Sequence, residues 1–160
     1  MYRMLVDGAL IDSEARRPVI NPVDETVITQ VPDASAEIVD RAVDAAAKAF
    51  VAWGSASWSE RREVVLAIAS AIEAHKDELA RLLVKETGRP MAVAQFEVGL
   101  ATQYLTFYAA QKLEAEVLVD DASRRVELHR RPLGVVAAIV PWNAPLYLAA
   151  NKIGPALIAG

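Results

Sequence analysis

In this sequence of 160 residues, one short stretch combines side-chain type and position in a way that suggests chemistry: Pro141-Trp142-Asn143, directly after the apolar run Gly134–Val140. The run carries no charge and is rich in Val and Ile, so it predicts a strand buried on both faces, as found inside a parallel sheet. Pro141 ends it. The carboxyl end of such a strand is where open α/β sheets place their ligands. Asn143 would stand there with a side-chain amide, a hydrogen-bond donor that does not titrate and can face negative charge developing on an oxygen. As an isolated tripeptide, the same residues read first as a turn between a strand and a helix, because Asn and Pro favour turns.

Few other side chains compete for a chemical role. There is no cysteine, hence no thiol nucleophile, no disulfide framework and no cysteine-based metal site. The two histidines, His75 near a helix end and His129 on the polar face of a strand, stand far apart with no second ligand at metal spacing. They read as solvated residues, and no metal site is expected. Trp53 and Trp58 flank a short Gly/Ser turn and read as helix-packing anchors rather than a base or sugar platform. The mixed charges of Lys85–Arg89 suit a helix C-terminus, which attracts Lys and Arg for electrostatic reasons alone. Phe96 and Leu100 form an i, i+4 apolar pair that could serve core packing or line a binding site equally well.

The elements that must position these residues are mostly helices. Asp7-Gly8 predicts a hairpin turn within residues 3–11, and Glu25–Val31 alternates as a strand until Pro32. Ser35 is a candidate N-cap for a helix with an apolar stripe through Ile38, Ala42, Val43, Ala46, Ala49, Phe50 and Trp53, closed at Gly54. Ser57 and Glu60 make a capping-box pattern for a second helix, with Val64, Val65, Ile68, Ala69 and Ile72 as its stripe and a break near His75-Lys76-Asp77. A third helix carries Leu79, Leu82 and Leu83 and ends at Gly88. A fourth starts with Pro90 in its first position and runs to about Glu116, burying Ala94, Val98, Ala101, Leu105 and Tyr108. From Ser123 to Leu133 the pattern alternates again, predicting a half-exposed strand.

Composition sets limits on function. Hydrophobic residues at 54% and charged residues at 24% suit a folded α/β unit. A net charge of −4, with Lys and Arg scattered among acids, offers no footprint for nucleic acid. The amino terminus meets Asp7 and Gly8 too early for a signal peptide, and Pro132–Asn151 is too interrupted to span a bilayer, so the expectation is a cytoplasmic protein without membrane contact.

Read with its flanks, Arg131-Pro132-Leu133-Gly134 through Pro141-Trp142-Asn143-Ala144-Pro145-Leu146 closely resembles the amino-terminal half of the aldehyde dehydrogenase superfamily. The resemblance continues through Asn151-Lys152-Ile153-Gly154-Pro155-Ala156-Leu157. It is also carried by Leu5-Val6-Asp7-Gly8, Asn21-Pro22, Ala46–Trp53, Arg61, Lys85–Pro90 and Leu105–Ala109, in the family's order over nearly the whole chain.

The resemblance implies an α/β fold: the amino-terminal part of an aldehyde dehydrogenase-like structure, with helices, the first strand of a Rossmann-like parallel sheet and a β-arm for oligomerisation. Residues 1–117 and 132–160 would belong to the NAD(P)-binding domain and 118–131 to the arm, with the catalytic domain absent from the chain. It implies oxidation of a small-molecule aldehyde to a carboxylic acid with NAD or NADP, in a homodimer or homotetramer. Acylating members that pass the product to coenzyme A are a minor rival. By family position Asn143 is the donor that stabilises the alkoxide formed when a cysteine attacks the aldehyde. Ile139, Val140, Pro141 and Trp142 would border the nicotinamide half of the cofactor, and Phe96, Leu100, Ala144 and Leu148 the substrate tunnel. Ala144 stands where many members have an aromatic residue, implying a wider entrance. Lys152 matches a lysine near the active centre. The nucleophile, the general base, the glycine-rich phosphate turn and the lysine gripping the adenosine ribose would lie beyond Gly160. The competing expectation is a non-catalytic folding or interaction module.

Overall fold

The computed structural model describes residues 2–160. Asp7 and Gly8 both adopt positive φ, 53° and 73°, and so close a tight hairpin between β1 (Met4–Val6) and β2 (Ala9–Ile11). β3 (Arg16–Ile20) pairs antiparallel with β4 (Val27–Pro32). The helices then follow: α1 (Ala36–Trp53), α2 (Trp58–Ala74), α3 (Lys76–Thr87) and α4 (Met91–Ala109). A second long hairpin, β5 (Glu116–Asp120) with β6 (Arg125–Leu128), leads into an extended segment and finally α5 (Pro145–Ala159).

The helix boundaries follow local chemistry. Ser35 Oγ accepts the Ile38 N–H at the start of α1. At α2, Ser57 and Glu60 satisfy each other's main-chain donors reciprocally. Gly88 closes α3 with φ 69°, and a Cβ there would also come within 3.1 Å of the Pro22 ring.

Packing concentrates on α4. Val65 and Ala69 of α2, Ala101, Leu105 and Ala109 of α4, and Ala150 and Ile158 of α5 form one core cluster. Ala80 and Leu83 of α3 with Ala94 and Val98 of α4 form a second. Gly154 lets α5 approach α4 closely, since a Cβ there would lie 3.1 Å from Tyr108 Cδ2 and 3.3 Å from Leu105 Cδ2.

Several expectations are corrected. The run 134–140 forms no strand and joins no sheet: among the described residues the three sheets are separate antiparallel pairs. No described strand pairs with the run, and its Val135, Val136 and Ile139 side chains are exposed. The first strand of a parallel sheet is therefore not formed within these residues. Pro90 is the N-cap of α4 rather than its first helical residue. That helix ends at Ala109 instead of Glu116, and the carbonyl of Gln111 beyond it accepts the Trp58 indole N–H at 2.8 Å. β6 covers only Arg125–Leu128, pairs with β5 alone, and is exposed on both faces. The α1 stripe is not buried: Ala46 and Ala49 are exposed, and Phe50 and Trp53 face a cleft. Tyr108 is half-buried.

Candidate functional site

The candidate site is built where α4 meets the start of α5. Ala144 caps α5 without a side-chain acceptor, and Pro145 has no N–H, so the first free main-chain donors are those of Leu146 and Tyr147. Both are taken by one carboxylate from a different helix: Glu97 Oε1 accepts the Leu146 N–H at 2.9 Å and the Tyr147 N–H at 3.2 Å. The positive end of α5 favours an anion there. Glu97 is only 4% exposed, the one charged residue buried in the core among the described residues.

Its other oxygen is paired with Arg89. Arg89 Nη1 contacts Glu97 Oε2, Nη2 donates to the main-chain carbonyl of Asn143 at 2.8 Å, and Nε donates to Thr87 Oγ1 at 2.6 Å. Thr87 in turn donates to the Leu83 carbonyl at 2.6 Å. A guanidinium can hold three acceptors at once because its donors are fixed in a plane. The chain on both sides of Ala144 is thereby tied to the α3–α4 junction.

Asn143 itself is exposed, and among the described residues only its main-chain carbonyl enters the hydrogen bonding. The amide thus has both donor hydrogens uncommitted. Ile139 and Trp142 are 83% and 85% exposed, Val140 and Pro141 are also exposed, and none of these four side chains offers charge. On α4, Phe96 precedes Glu97 and is 70% exposed, so it does not pack in the core. Leu100, one turn on, is half-buried, as are Ala144 and Leu148 at the start of α5. The Glu97 link therefore brings Phe96 to the same end of the helix pair as Asn143 and Ala144.

Tyr147 packs edge-on against Tyr104 with ring centroids 4.9 Å apart. Polar contact with the Tyr104 side chain, ahead of desolvation, holds the Tyr147 phenol above its ordinary value of 10.0, so it stays neutral near pH 7. It cannot serve as a base there.

The sequence readings missed Arg89 and Glu97 as members of this site. The remaining alternatives resolve structurally. Trp53 donates to the Leu157 carbonyl at 3.2 Å and anchors α1 to α5. His75 Nδ1 lies 2.9 Å from the Ala71 carbonyl, and His129 Nε2 lies 2.9 Å from Glu127. A cleft of about 750 Å³ lies between α1, α2, α5 and residues 134–138, and Lys152 is among its lining residues. It is lined by none of the nominated site residues, and its walls are mostly apolar. Size alone does not make a cleft a site.

A sequence profile described as the aldehyde dehydrogenase family matches residues 10–160. The chain belongs to the aldehyde dehydrogenase family. Among its relatives, 3,6-anhydro-alpha-L-galactose dehydrogenase of Streptomyces coelicolor is 40% identical over 153 residues, which are 94% of this chain and 31% of that protein. Lactaldehyde dehydrogenase of Escherichia coli is 34% identical over 164 residues, covering 99% of this chain and 34% of its own length. Among solved structures, PnpE in complex with nicotinamide adenine dinucleotide superposes with a TM-score of 0.91 at 37% identity, over 100% of this chain and 34% of PnpE. The structure of 3,6-anhydro-L-galactose dehydrogenase in complex with NAP gives 0.89 at 36% identity, over 99% and 34%. The chain thus spans about a third of the length of these aldehyde dehydrogenases. The mixed α/β architecture is that of the corresponding part of the family fold.

Proposed function

We propose that these residues form the amino-terminal part of an NAD(P)-dependent enzyme that oxidises an aldehyde to a carboxylic acid, and that Asn143 stabilises the oxyanion of the first step. The observation that carries this reading is the uncommitted Asn143 amide on a main chain fixed by Arg89. Attack on an aldehyde turns the carbonyl oxygen into an alkoxide, and a donor already in place for that charge stabilises the transition state more than the substrate. The nucleophile is a cysteine thiolate supplied from outside these 160 residues, because they contain no cysteine.

The nicotinamide cofactor, when bound, accepts the hydride. The exposed apolar surface of Ile139, Val140, Pro141 and Trp142 fits a flat, weakly polar ring, and the extended main chain beside it has amide and carbonyl groups outside any ladder. Phe96, Leu100, Ala144 and Leu148 shape the aldehyde's approach at the α4–α5 end, with the small Ala144 leaving it wide. Residues 118–131, most of the β5–β6 hairpin and its exit, act as an arm between subunits, supported by the exposed Leu118, Val126 and Leu128. No helix of the described residues is long and apolar enough to cross a membrane.

The test is Asn143→Ala in the full-length enzyme. It lowers kcat by about 10²- to 10³-fold with little change in cofactor affinity. Asn143→Asp is at least as damaging, because it presents a negative acceptor to the incipient oxyanion. An active Asp variant beside an unstable Ala variant would return Asn143 to the role of a turn residue.

A further inference from the structure

We infer that the buried Arg89–Glu97 pair is a positioning device for Asn143: it sets where the Asn143 amide points by fixing the main chain on both sides of Ala144. The inference rests on the proposed role of Asn143, and adds residues that touch neither substrate nor cofactor.

Three observations carry it. Glu97 sits on α4 in the register of buried Ala94 and Ala101, where an apolar residue would fill the core without the desolvation cost of a charge. Its carboxylate instead ends on the Leu146 and Tyr147 N–H groups of α5, which otherwise has no side-chain cap. The guanidinium on its other oxygen reaches 54 residues along the chain to the Asn143 carbonyl. The two ends of segment 143–147 are therefore held by the two halves of one ion pair. A capping role alone needs Glu97 but not the Arg89 contact at residue 143.

The physical consequence is geometric. Asn143 is exposed and, among the described residues, its side chain makes no hydrogen bond, so the direction in which it leaves the backbone is set by its own main chain. Releasing the carbonyl at 143 or the turn at 146–147 lets that main chain rotate. A donor displaced by about 1 Å from where charge develops can cost up to 10²-fold in rate. Arg89 holds this place better than Lys would, since an ammonium lacks the planar fork that spans the carboxylate and the carbonyl together.

The experiment uses the full-length enzyme with Glu97→Gln, Arg89→Lys, Asn143→Ala and the Glu97→Gln/Asn143→Ala double variant. Two readouts are taken: kcat with KM for aldehyde and cofactor, and hydrogen exchange of the Leu146 and Tyr147 amides. Glu97→Gln is expected to lower kcat by about 10- to 10²-fold with KM nearly unchanged, and to speed exchange at both amides. Arg89→Lys gives a smaller loss in the same direction, and keeps the test alive should Glu97→Gln fold poorly. The double variant is expected to be no slower than Asn143→Ala alone, since a positioning residue has nothing left to position. A crippled Asn143→Ala beside additive losses, or beside Glu97→Gln and Arg89→Lys at parental kcat, overturns the inference and leaves the oxyanion role standing. Asn143→Ala at parental kcat overturns that role, and this inference with it.

Discussion

The α4–α5 pair and the segment 134–142 are both apolar by sequence, yet they fare differently. In the helix pair the apolar side chains of Ala101, Leu105, Ala109, Ala150 and Ile158 meet one another, and the main chain satisfies its own hydrogen bonds. In 134–142 the Val, Ile and Trp side chains are equally apolar but stand exposed, because an extended segment depends on neighbouring strands for both its ladder and its burial. A helix needs one partner face, whereas an interior strand needs two edges and two faces. The difference also divides the labour of the candidate site: the helix side carries Arg89, Glu97 and the residues proposed to shape the aldehyde's approach, and the open side carries those proposed to border the cofactor.

The largest effect that bears on this contrast is Leu105→Ala in the 160-residue chain. Leu105 is fully buried between α2 and α5, so its truncation leaves a cavity as well as losing transfer free energy. A loss of about 2–5 kcal/mol by chemical denaturation is expected. A loss well below that would mean the helix pair is no better packed than the extended segment, and the contrast would collapse.

What the sequence disclosed follows the same division. The starts of α1 and α2 were legible from Ser35 and from the Ser57–Glu60 pair, and the end of α3 from Gly88, because these signals act within a few residues. β3 was not, since Arg16-Arg17-Pro18 is charged and interrupted, and only pairing with β4 holds it extended. The burial predicted for 134–140 is not met because a continuous apolar run reports what could pack against it, not what is present. Of the candidate site, Asn143 is nominated through the family pattern, whereas Arg89 reads as an ordinary helix-end cation. Glu97 did leave a signal that went unread: an acid in register with Ala94, Val98 and Ala101 on an otherwise apolar helix face. Its main-chain partners lie 49 and 50 residues away, which no local rule connects.

A smaller effect sharpens the helix side. Ser57→Ala removes the cap of α2 and is expected to lower stability by about 0.5–2 kcal/mol at pH 7. The Ser57 hydroxyl, then its main-chain N–H, holds the Glu60 carboxyl below its ordinary 4.5. A carboxyl depressed in the folded state stabilises above its unfolded value and loses that contribution as pH falls through the folded one. The gap between the parent chain and Glu60→Gln should therefore be full at pH 7 and shrink from about pH 4.5 downward. A gap independent of pH would show that Glu60 acts through shape rather than charge.

The smallest effect belongs to the open side. Ile139→Ser in the 160-residue chain should change stability by less than about 0.5 kcal/mol, despite replacing a large aliphatic residue in the most apolar run of the sequence. The reason is that Ile139 is 83% exposed, so the side chain is nearly as wet when folded as when unfolded, and little transfer free energy is at stake. Denaturation measured at two protein concentrations checks this. If Ile139→Ser costs more than 1 kcal/mol at both concentrations, the segment is buried within its own chain and the contrast with the helix pair is wrong. If the cost grows with concentration, a second copy covers the segment, and its exposure ends by association rather than by folding. A change near zero at both concentrations leaves 134–142 as surface that these residues display but do not themselves cover, which is the property required of a segment that is to meet a cofactor.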